Sequence, residues 1–540
     1  MAALHMRHAE RRVDMASSRA SVHSSSMHSL SDQIGAKVRN MAHIGRPIID
    51  INFDKANGAH GAYVTSYSTM DIVSGTVSIT APLDTRFEDI EIVFLGEAKA
   101  HVDRMAPTPP LSGRTDATHR FLTLKQPINE AELPQPRILL AGKTYSFAFA
   151  FTLPSQLLPR SCSHPVASDQ LRHLHLQLPP SLGDPTLAGW GGTLMDDLAP
   201  EMSRIEYAVK ARITQVREAD GAVTTLMDQR KKVRVKPAFE EQPPLNLDPF
   251  DPEYRLRQEK TVRKGVFKGK LGTLIMQTSQ PKPLVMRTSS NGDITTMAKV
   301  LLRFDPADEH NTPPKLGSLA SRIKVSTYFS TSPRRNLPSR TAVGLDLSQG
   351  VYQETINLSS LCVASAQWEK HSSDANSEAS DSRRGSDSSD SALSESSFFS
   401  GILTPSKNYQ GNYFYTAEIH VPITLPKTKN FIPTFHSCLI SRTYIIFLNL
   451  SIHSAGALDP TFSLKVPVQI CAEGSESGAA NARARNAEIS AVQEANEVLT
   501  PRNVAPSVNV ADDLPPEYAV YSPRHRAHGH GYVHGVSVVG

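Results

Sequence analysis

Apolar and polar residues alternate with a period of two along much of this chain, and this alternation restricts its possible folds most strongly. From Tyr145 to Leu153 every odd position is large and apolar, and from Arg204 to Ile213 the odd positions are again apolar. Successive side chains of a β-strand point to opposite faces, so each run predicts a strand with one face in a core. We expect Phe147, Phe149 and Phe151 to be core residues, whereas the charged face of the second strand should be solvated.

Such runs recur from about residue 49 onward, in short pieces punctuated by Pro and Gly, which indicates an all-β chain. A proline-rich stretch at residues 241–257 interrupts them and is typical of a linker. About seven to eight strands fit residues 45–240, and about seven more fit residues 258–475, with Val262–Gln277 counted as a single strand. We therefore predict two tandem antiparallel β-sandwiches of the immunoglobulin type, one N-terminal and one C-terminal.

Three segments carry too few apolar residues to pack in a core, and we predict that they are disordered. Residues 1–44 are a basic arm rich in Ser and His, without the apolar stretch of a secretory signal. Residues 371–400 are a serine-rich, acidic insertion that splits the second sandwich. Residues 476–540 are a polar tail, in which Ala479–Leu499 has helical composition but little apolar face.

Charge and cysteine content argue against several classes of protein. The 540 residues include 57 basic and 53 acidic side chains, for a net charge of +4, so nothing favours nucleic-acid binding. No apolar run approaches the roughly 18 to 20 residues needed to cross a bilayer, and any membrane contact is expected to be peripheral. Cys162, Cys362, Cys438 and Cys471 are far apart and include no CxxC pair, so we predict neither a zinc site nor a disulfide framework. The simpler interpretation of these cysteines is that the protein is in the reducing cytosol.

The tail contains a short peptide suited to docking, Leu514-Pro515-Pro516-Glu517-Tyr518. Its adjacent prolines pre-form a polyproline II turn, so little ordering entropy is lost when an aromatic-lined groove binds them, and Tyr518 then fits a second pocket. The peptide resembles the PPxY motif that WW domains read, and the best-known cytosolic readers are HECT-type ubiquitin ligases. We find the motif once, so a gain from avidity is in doubt. The alternative is an ordinary proline-rich tail.

Two further blocks resemble fungal arrestin-like proteins of the α-arrestin branch. Leu178–Gly183 and Met195–Arg212 are similar to the later part of the arrestin-like N-terminal domain, and Phe435–Tyr444 is similar to the C-terminal domain. The resemblance covers roughly residues 45–475 and implies two β-sandwiches joined by a short linker.

The resemblance also implies a function. Proteins of this branch are adaptors without an active site or cofactor, which recruit a HECT-type ubiquitin ligase through its WW domains to plasma-membrane transporters or receptors. They thereby promote ubiquitination and endocytosis of that cargo, and such a protein would be cytoplasmic and recruited to the plasma membrane or endosomes. The alternative is an arrestin-clan scaffold for protein sorting or signalling that recruits no ligase. Leu514, Pro515, Pro516 and Tyr518 distinguish the two hypotheses, because only the adaptor requires them.

Ser386 is a candidate phosphorylation site within the serine-rich insertion. Arg383 and Arg384 precede it, as basic-directed kinases require. Phosphorylation would add about −1.5 to −2 charges and create a docking signal for a 14-3-3-type protein. The alternative is a chance match, because a segment with so many serines resembles kinase sites at several positions.

No residues form a recognisable catalytic constellation. We interpret the adjacent carboxylates Asp196 and Asp197 as residues that shape a turn. His164, His173 and His175 suggest a metal site, but we interpret the last two as neighbours on one strand face without a third ligand. We therefore predict no bound metal. The same applies to the Gly/His-rich end of the tail, which is typical of a disordered terminus.

A basic stretch lies just before the predicted linker, with cationic residues at Lys231, Lys232, Arg234 and Lys236. Positive charge on the outer face of one strand would suit anionic phospholipid or an acidic cargo tail. Basic side chains on an edge strand also discourage edge-to-edge pairing. We favour the second interpretation, a solvated edge.

Overall fold

The computed structural model describes residues 45–54, 66–104, 113–187, 195–245, 247, 251–265, 269–287, 292–372, 404–407, 409–453 and 461–499. The chain divides after Arg483 into two compact units. In the first unit the described strands form two groups of sheets, each around its own hydrophobic core. The predicted fold class, all-β with two tandem sandwiches, is confirmed.

The N-terminal sandwich encloses its core between two main sheets. Its described strands are β1 (Ile48–Phe53), β2 (Ser66–Tyr67), β3 (Ile72–Thr80), β4 (Thr85–Arg86), β5 (Asp89–Arg104), β6 (Gly113–Gln126), β7 (Ile138–Leu139), β8 (Thr144–Thr152), β9 (Ser203–Val216) and β10 (Val223–Val235). Strands β1, β3 and β8 form one sheet, and β2, β10, β9, β5 and β6 form the other in that order. In the first sheet Val77 lies between Ile51 and Phe147 on the neighbouring strands, and all three side chains are buried.

Burial along β8 and β9 tests the predicted alternation. Phe147, Phe149 and Phe151 are 2%, 3% and 3% exposed, so the expectation that they belong to the core is confirmed. The expectation that the other face of β9 is solvated is wrong at Glu206, which is only 3% exposed. Cationic side chains of β5, β9 and β10 cover this carboxylate and remove it from water.

The C-terminal sandwich has the same layered arrangement around a second core. Its described strands are β11 (Arg257–Arg263), β12 (Lys270–Thr278), β13 (Leu284–Met286), β14 (Thr295–Pro306), β15 (Lys315–Ser330), β16 (Gln349–Cys362), β17 (Glu369–Ser372), β18 (Tyr413–Thr424), β19 (Phe435–His436), β20 (Ile440–His453), β21 (Thr461–Val468) and β22 (Ile470–Ala472). One sheet has the order β11-β12-β14-β18-β17, and the other has the order β16-β15-β20-β19 with β21 also on β20. Two short pairs, β10 with β2 and β13 with β22, are parallel.

The segment predicted as a single strand over Val262–Gln277 is divided between β11 and β12, which pair antiparallel. The chain reverses before Lys270, where Gly269 has a φ of +40°. Across this turn Lys264 N donates a hydrogen bond to Gly269 O at 3.2 Å. Glycine adopts positive φ without steric cost, so the chain can turn at Gly269, and β11 and β12 form a hairpin rather than one long strand.

The described helices are α1 (Asp169–Leu176), α2 (Arg340–Leu345) and α3 (Glu476–Leu499). Helix α1 corrects the expectation that His173 and His175 share a strand face. The Ser168 hydroxyl caps α1 by accepting a hydrogen bond from Leu171 N at 3.2 Å. Residues two apart point to different sides of a helix, so His175 is buried beside Leu171 and Leu174 while His173 is exposed.

Helix α3 includes the whole of Ala479–Leu499 and begins three residues earlier at Glu476, so the predicted disorder of the tail is wrong over residues 476–499. Helices in the described ranges are either too short or too polar to cross a membrane.

The predicted serine-rich insertion starts too early at His371. Both His371 and Ser372 pair with β18 as the end of β17, and His371 Nε2 forms a hydrogen bond of 2.7 Å with Thr416 Oγ1. The remainder of the insertion with Ser386, the basic arm and the peptide from Leu514 to Tyr518 lie outside the described residues. The proposed domain boundaries, with a linker at residues 241–257, stay a prediction.

Candidate functional site at the junction of the two sandwiches

The loop that precedes β9 reaches into the C-terminal sandwich. Leu198 at its tip packs within the C-terminal core and is 2% exposed. Arg442 of β20 is 0% exposed, and its guanidinium donates to the carbonyl oxygens of Asp197 and Leu198, each at 3.1 Å. Buried carbonyl groups need hydrogen-bond partners, so Arg442 fixes this loop in the second sandwich.

Asp196 and Asp197 shape the turn of this loop, as the sequence predicts. Asp196 Oδ1 accepts a hydrogen bond from Leu198 N at 2.8 Å. The Asp197 carboxylate accepts from Gly183 N at 2.7 Å and from Ala199 N at 3.2 Å. Burial raises the pKa of Asp197, against the opposing effects of these bonds and of Arg442. Both carboxylates therefore accept hydrogen bonds from backbone groups, and Asp197 joins its own loop to Gly183.

The rim of the same contact is formed by residues 429 and 430 of the C-terminal sandwich. Lys429 Nζ lies 2.7 Å from Asp196 Oδ2, and Asn430 N donates to Asp196 O at 2.9 Å. Partial burial acts to raise the pKa of Asp196, but hydrogen bonds from Lys429 and Leu198 outweigh it and hold that pKa below its usual value. The junction thus combines a buried cation at its centre with a more exposed ion pair at its edge.

A second contact between the sandwiches brings together cysteine and histidine side chains. Cys162, His164 and His175 come from the segment between β8 and β9, and Cys438 comes from the turn between β19 and β20. One ligating atom from each of the four lies within 4.8 Å of the other three. The structure thus brings together four potential ligands, where the sequence indicated no third ligand for its histidines.

Sequence reasoning missed this cluster for two reasons. Its members are far apart along the chain, and the strand interpretation placed His173 beside His175, whereas α1 separates them. The Ser168 cap and the apolar positions Leu171 and Leu174 were a helix signal that could have directed His175 inward. No sequence signal placed Cys438 next to Cys162.

A third contact joins the start of α3 to the N-terminal sandwich. Asp71 accepts hydrogen bonds from Ser475 Oγ, from Ser477 Oγ at 2.7 Å and from Ser68 N at 2.7 Å. Asn481 Nδ2 donates to Met70 O at 2.9 Å. The residues that follow the last strand are therefore attached to the first sandwich.

The basic stretch at the end of β10 is a solvated edge only in part, because Lys231 and Lys232 are exposed whereas Arg234 is buried. Arg234 is 4% exposed, because β2 pairs beside it, and it donates to Ser66 Oγ at 2.6 Å and to Leu187 O at 3.0 Å. Lys231 is on the opposite face of the strand and donates to Ile51 O at 2.5 Å. Burial, and secondarily Arg234, lower the pKa of Lys236 to about 7.

Lys232 is part of an ion-pair network on the outer face of the N-terminal sandwich. Its Nζ lies 2.6 Å from Asp184 Oδ2 and 2.7 Å from Glu206 Oε1, and Lys99 Nζ lies 3.0 Å from Glu206 Oε2. Burial acts to raise the pKa of both carboxyl groups, but the hydrogen bonds from the lysines outweigh it and lower the pKa of each. The ammonium group of Lys232 thus neutralises carboxylates of the protein itself.

Replacing Lys232 by methionine is expected to lower the free energy of unfolding at neutral pH by about 1–3 kcal/mol, because two largely buried carboxylates lose a cation. A carboxyl group whose folded pKa is depressed contributes stability that is present above its unfolded pKa and is lost as the pH falls through its folded pKa. The effect should therefore shrink below the ordinary Glu value of 4.5. Urea unfolding followed by circular dichroism at several pH values measures this.

Lys210→Met is the matched control for that experiment, because Lys210 pairs with Asp228 at 2.8 Å at a site where the aspartate side chain is 53% exposed. Its loss should cost less than about 1 kcal/mol. Equal effects of the two substitutions, or a Lys232→Met effect that grows in acid, would contradict the assignment.

Comparison with protein families identifies part of the C-terminal sandwich. Residues 347–472, which span β16 to β22, match the family model described as the Bul1 C terminus. No curated protein matches the chain. The matched segment contains Arg442 and Cys438, two of the residues through which the C-terminal sandwich contacts the N-terminal one. Residues 347–472 of this chain are therefore similar to the Bul1 C terminus, an arrestin-like family, and they belong to a described fold of two β-sandwiches that is consistent with an arrestin-like protein.

Proposed function

We propose that this protein is an adaptor that recruits a WW-domain ubiquitin ligase of the HECT type to membrane cargo. The observation that carries the proposal is the peptide from Leu514 to Tyr518 in a chain whose residues 347–472 match the Bul1 C terminus. The peptide supplies the two prolines and the tyrosine that a WW groove binds. Ubiquitination of the cargo would then promote its endocytosis.

The sandwiches supply the cargo-binding part of the proposed adaptor. At the junction, Arg442 donates to the carbonyl oxygens of Asp197 and Leu198, and Lys429 pairs with Asp196, so these bonds connect the two sandwiches. Such an arrangement gives a rigid platform with a fixed relation between its two halves, which suits recognition of a cytosolic segment of a transporter or receptor. In this proposal the adaptor binds the cargo, and the ligase carries out the transfer of ubiquitin.

Changing Pro516 and Tyr518 together to alanine is expected to weaken binding of ligase WW domains by at least about tenfold, because both anchors of the groove are removed. Binding of the purified full-length chain to immobilised WW domains measures this. The matched control changes Pro506 and Tyr521 to alanine, which removes the same residue types from the same tail outside the motif.

Two outcomes would contradict the proposal. Equal binding by the motif variant and the control would show that another segment binds the ligase. Failure of the unmodified chain to bind any ligase WW domain would favour the arrestin-clan scaffold that recruits no ligase. In cells, cargo turnover that is unchanged by Tyr518→Ala would favour the same scaffold.

We also propose Ser386 as a regulatory site of this adaptor. The two preceding arginines suit a basic-directed kinase, and a phosphorylated serine would present the charge that a 14-3-3-type protein reads. Capture of a 14-3-3 protein by the phosphorylated chain but not by Ser386→Ala tests the assignment, and equal capture by both would contradict it.

A further inference from the structure

The cluster of Cys162, His164, His175 and Cys438 has the dimensions of a tetrahedral metal site. Cys162 Sγ lies 3.4 Å from His164 Nε2 and 3.6 Å from His175 Nδ1. A zinc ion with Zn–S bonds of about 2.3 Å and Zn–N bonds of about 2.05 Å separates a sulfur and a nitrogen ligand by about 3.6 Å. The four ligating atoms lie within 4.8 Å of one another, so the set requires only a small contraction to surround one ion.

The surroundings of the cluster orient the ring nitrogens of its histidines toward Cys162. His164 Nδ1 lies 3.1 Å from Pro165 O, a hydrogen bond that puts the proton on Nδ1 and leaves the Nε2 lone pair directed at Cys162. His175 Nδ1 faces the same sulfur at 3.6 Å, and the His175 side chain is buried. Each imidazole therefore directs one ring nitrogen at Cys162.

The two cysteines supply the charge that a divalent cation requires. Cys162 and Cys438 are 1% and 3% exposed, so the charge of any ion bound between them must be balanced locally. Two thiols would each lose a proton to the solvent when the ion binds, so a dication with two thiolates and two neutral imidazoles is electrically neutral. A neutral complex avoids the cost of an unpaired charge in this buried place.

We propose that Cys162, His164, His175 and Cys438 bind one Zn²⁺ ion that joins the N-terminal sandwich to the C-terminal sandwich. Four protein ligands close the coordination sphere of tetrahedral zinc, so the site is structural rather than catalytic. Three ligands come from one sandwich and the fourth from the turn between β19 and β20 of the other. The ion would therefore stabilise the relation between the sandwiches, independently of ligase binding by the tail.

The measurement uses the reduced full-length chain, freed of metal, re-supplied with Zn²⁺ and passed through a desalting column before its metal content is determined by mass spectrometry. The expected content is about one zinc per chain, the stoichiometry of a single four-ligand site. Cys438→Ser should weaken zinc binding by at least about tenfold, since one of four ligands is lost. His173→Ala should leave it unchanged, because this histidine is on the same helix but exposed.

The histidine-rich tail requires its own control, because it could bind zinc at the surface. A variant with His525, His528, His530 and His534 all changed to alanine should keep its zinc. Substitution by Co²⁺ gives a second readout, since charge-transfer absorption from thiolate to cobalt requires a cysteine ligand. That band should be present in the tail variant and absent when both Cys162 and Cys438 are changed to serine.

Three results would overturn the proposal. The first is less than about a tenth of an equivalent of zinc on the folded, reduced chain supplied with the metal. The second is zinc that disappears with the tail histidines and is indifferent to Cys438→Ser. The third is an intact mass that lacks two hydrogens under reducing conditions, because a Cys162–Cys438 disulfide would consume both thiolates.

Discussion

Arg442→Ala is expected to lower the free energy of unfolding by about 3–5 kcal/mol, the largest effect that we predict for a single side chain at the junction. The guanidinium is 0% exposed and donates to the carbonyl oxygens of Asp197 and Leu198. Its removal leaves both carbonyls without this partner in a region closed to water, where each unpaired group costs about 1–3 kcal/mol. It also opens a cavity beside Leu198.

Lys429→Ala is the matched control, because Lys429 is in the same junction but at its rim, where its partner Asp196 has a side chain that is 54% exposed. Solvent screens this pair, so its loss should cost less than about 1 kcal/mol. Urea unfolding followed by circular dichroism compares the two variants. In Arg442→Ala, proteolysis should also cut the loop at residues 195–202 faster than in the unmodified chain, because its anchor is gone. A loss below 1 kcal/mol for Arg442→Ala would show that the loop is held by other contacts.

Tyr207→Ala is expected to lower the free energy of unfolding by about 3–5 kcal/mol, because it removes a large aromatic ring from the N-terminal core. Tyr207 is 0% exposed, and its ring centroid lies 6.0 Å from that of Phe94 and 5.5 Å from that of Phe121. Its hydroxyl donates to Pro179 O at 2.5 Å, so the same side chain also fixes the segment that follows α1. Both the cavity and the unpaired carbonyl contribute to the loss.

Tyr207→Phe separates these two contributions. It keeps the ring and removes only the hydroxyl, so the expected cost is about 1 kcal/mol. Thermal and urea unfolding of the three proteins provide the comparison. A phenylalanine variant as unstable as the alanine variant would mean that the hydrogen bond to Pro179, rather than ring packing, dominates the role of this residue.

The alternation of β8 and β9 shows what local sequence can predict. Phe147, Phe149 and Phe151 are buried as expected, because the two-residue period of a strand is a property of the backbone itself. Glu206 lies on the face that was expected to be solvated but is buried, and the two-residue period of its own strand cannot predict this. Its burial depends on Lys99 and Lys232, which arrive from other strands.

The candidate sites also differ in whether their residues are consecutive in the sequence or brought together by the fold. The Leu514–Tyr518 peptide is proposed as a docking site from five consecutive residues alone, since the information of such a peptide is local in the sequence. Ser386 with its two arginines is a motif of the same local kind. The Cys–His cluster was not predicted, because its ligands come from separate segments and because α1, rather than a strand, orients His175.

The sequence by itself determined that this protein is all-β, that it forms two sandwiches and that its tail carries a PPxY peptide, since each of these follows from neighbouring residues. Only the tertiary structure decided how the sandwiches meet. Arg442 donates to the carbonyl groups of residues 197 and 198, and Cys438 lies close to Cys162, although hundreds of residues separate these partners in the sequence. Contacts of this kind depend on the packing of whole sheets, which no local period or spacing encodes.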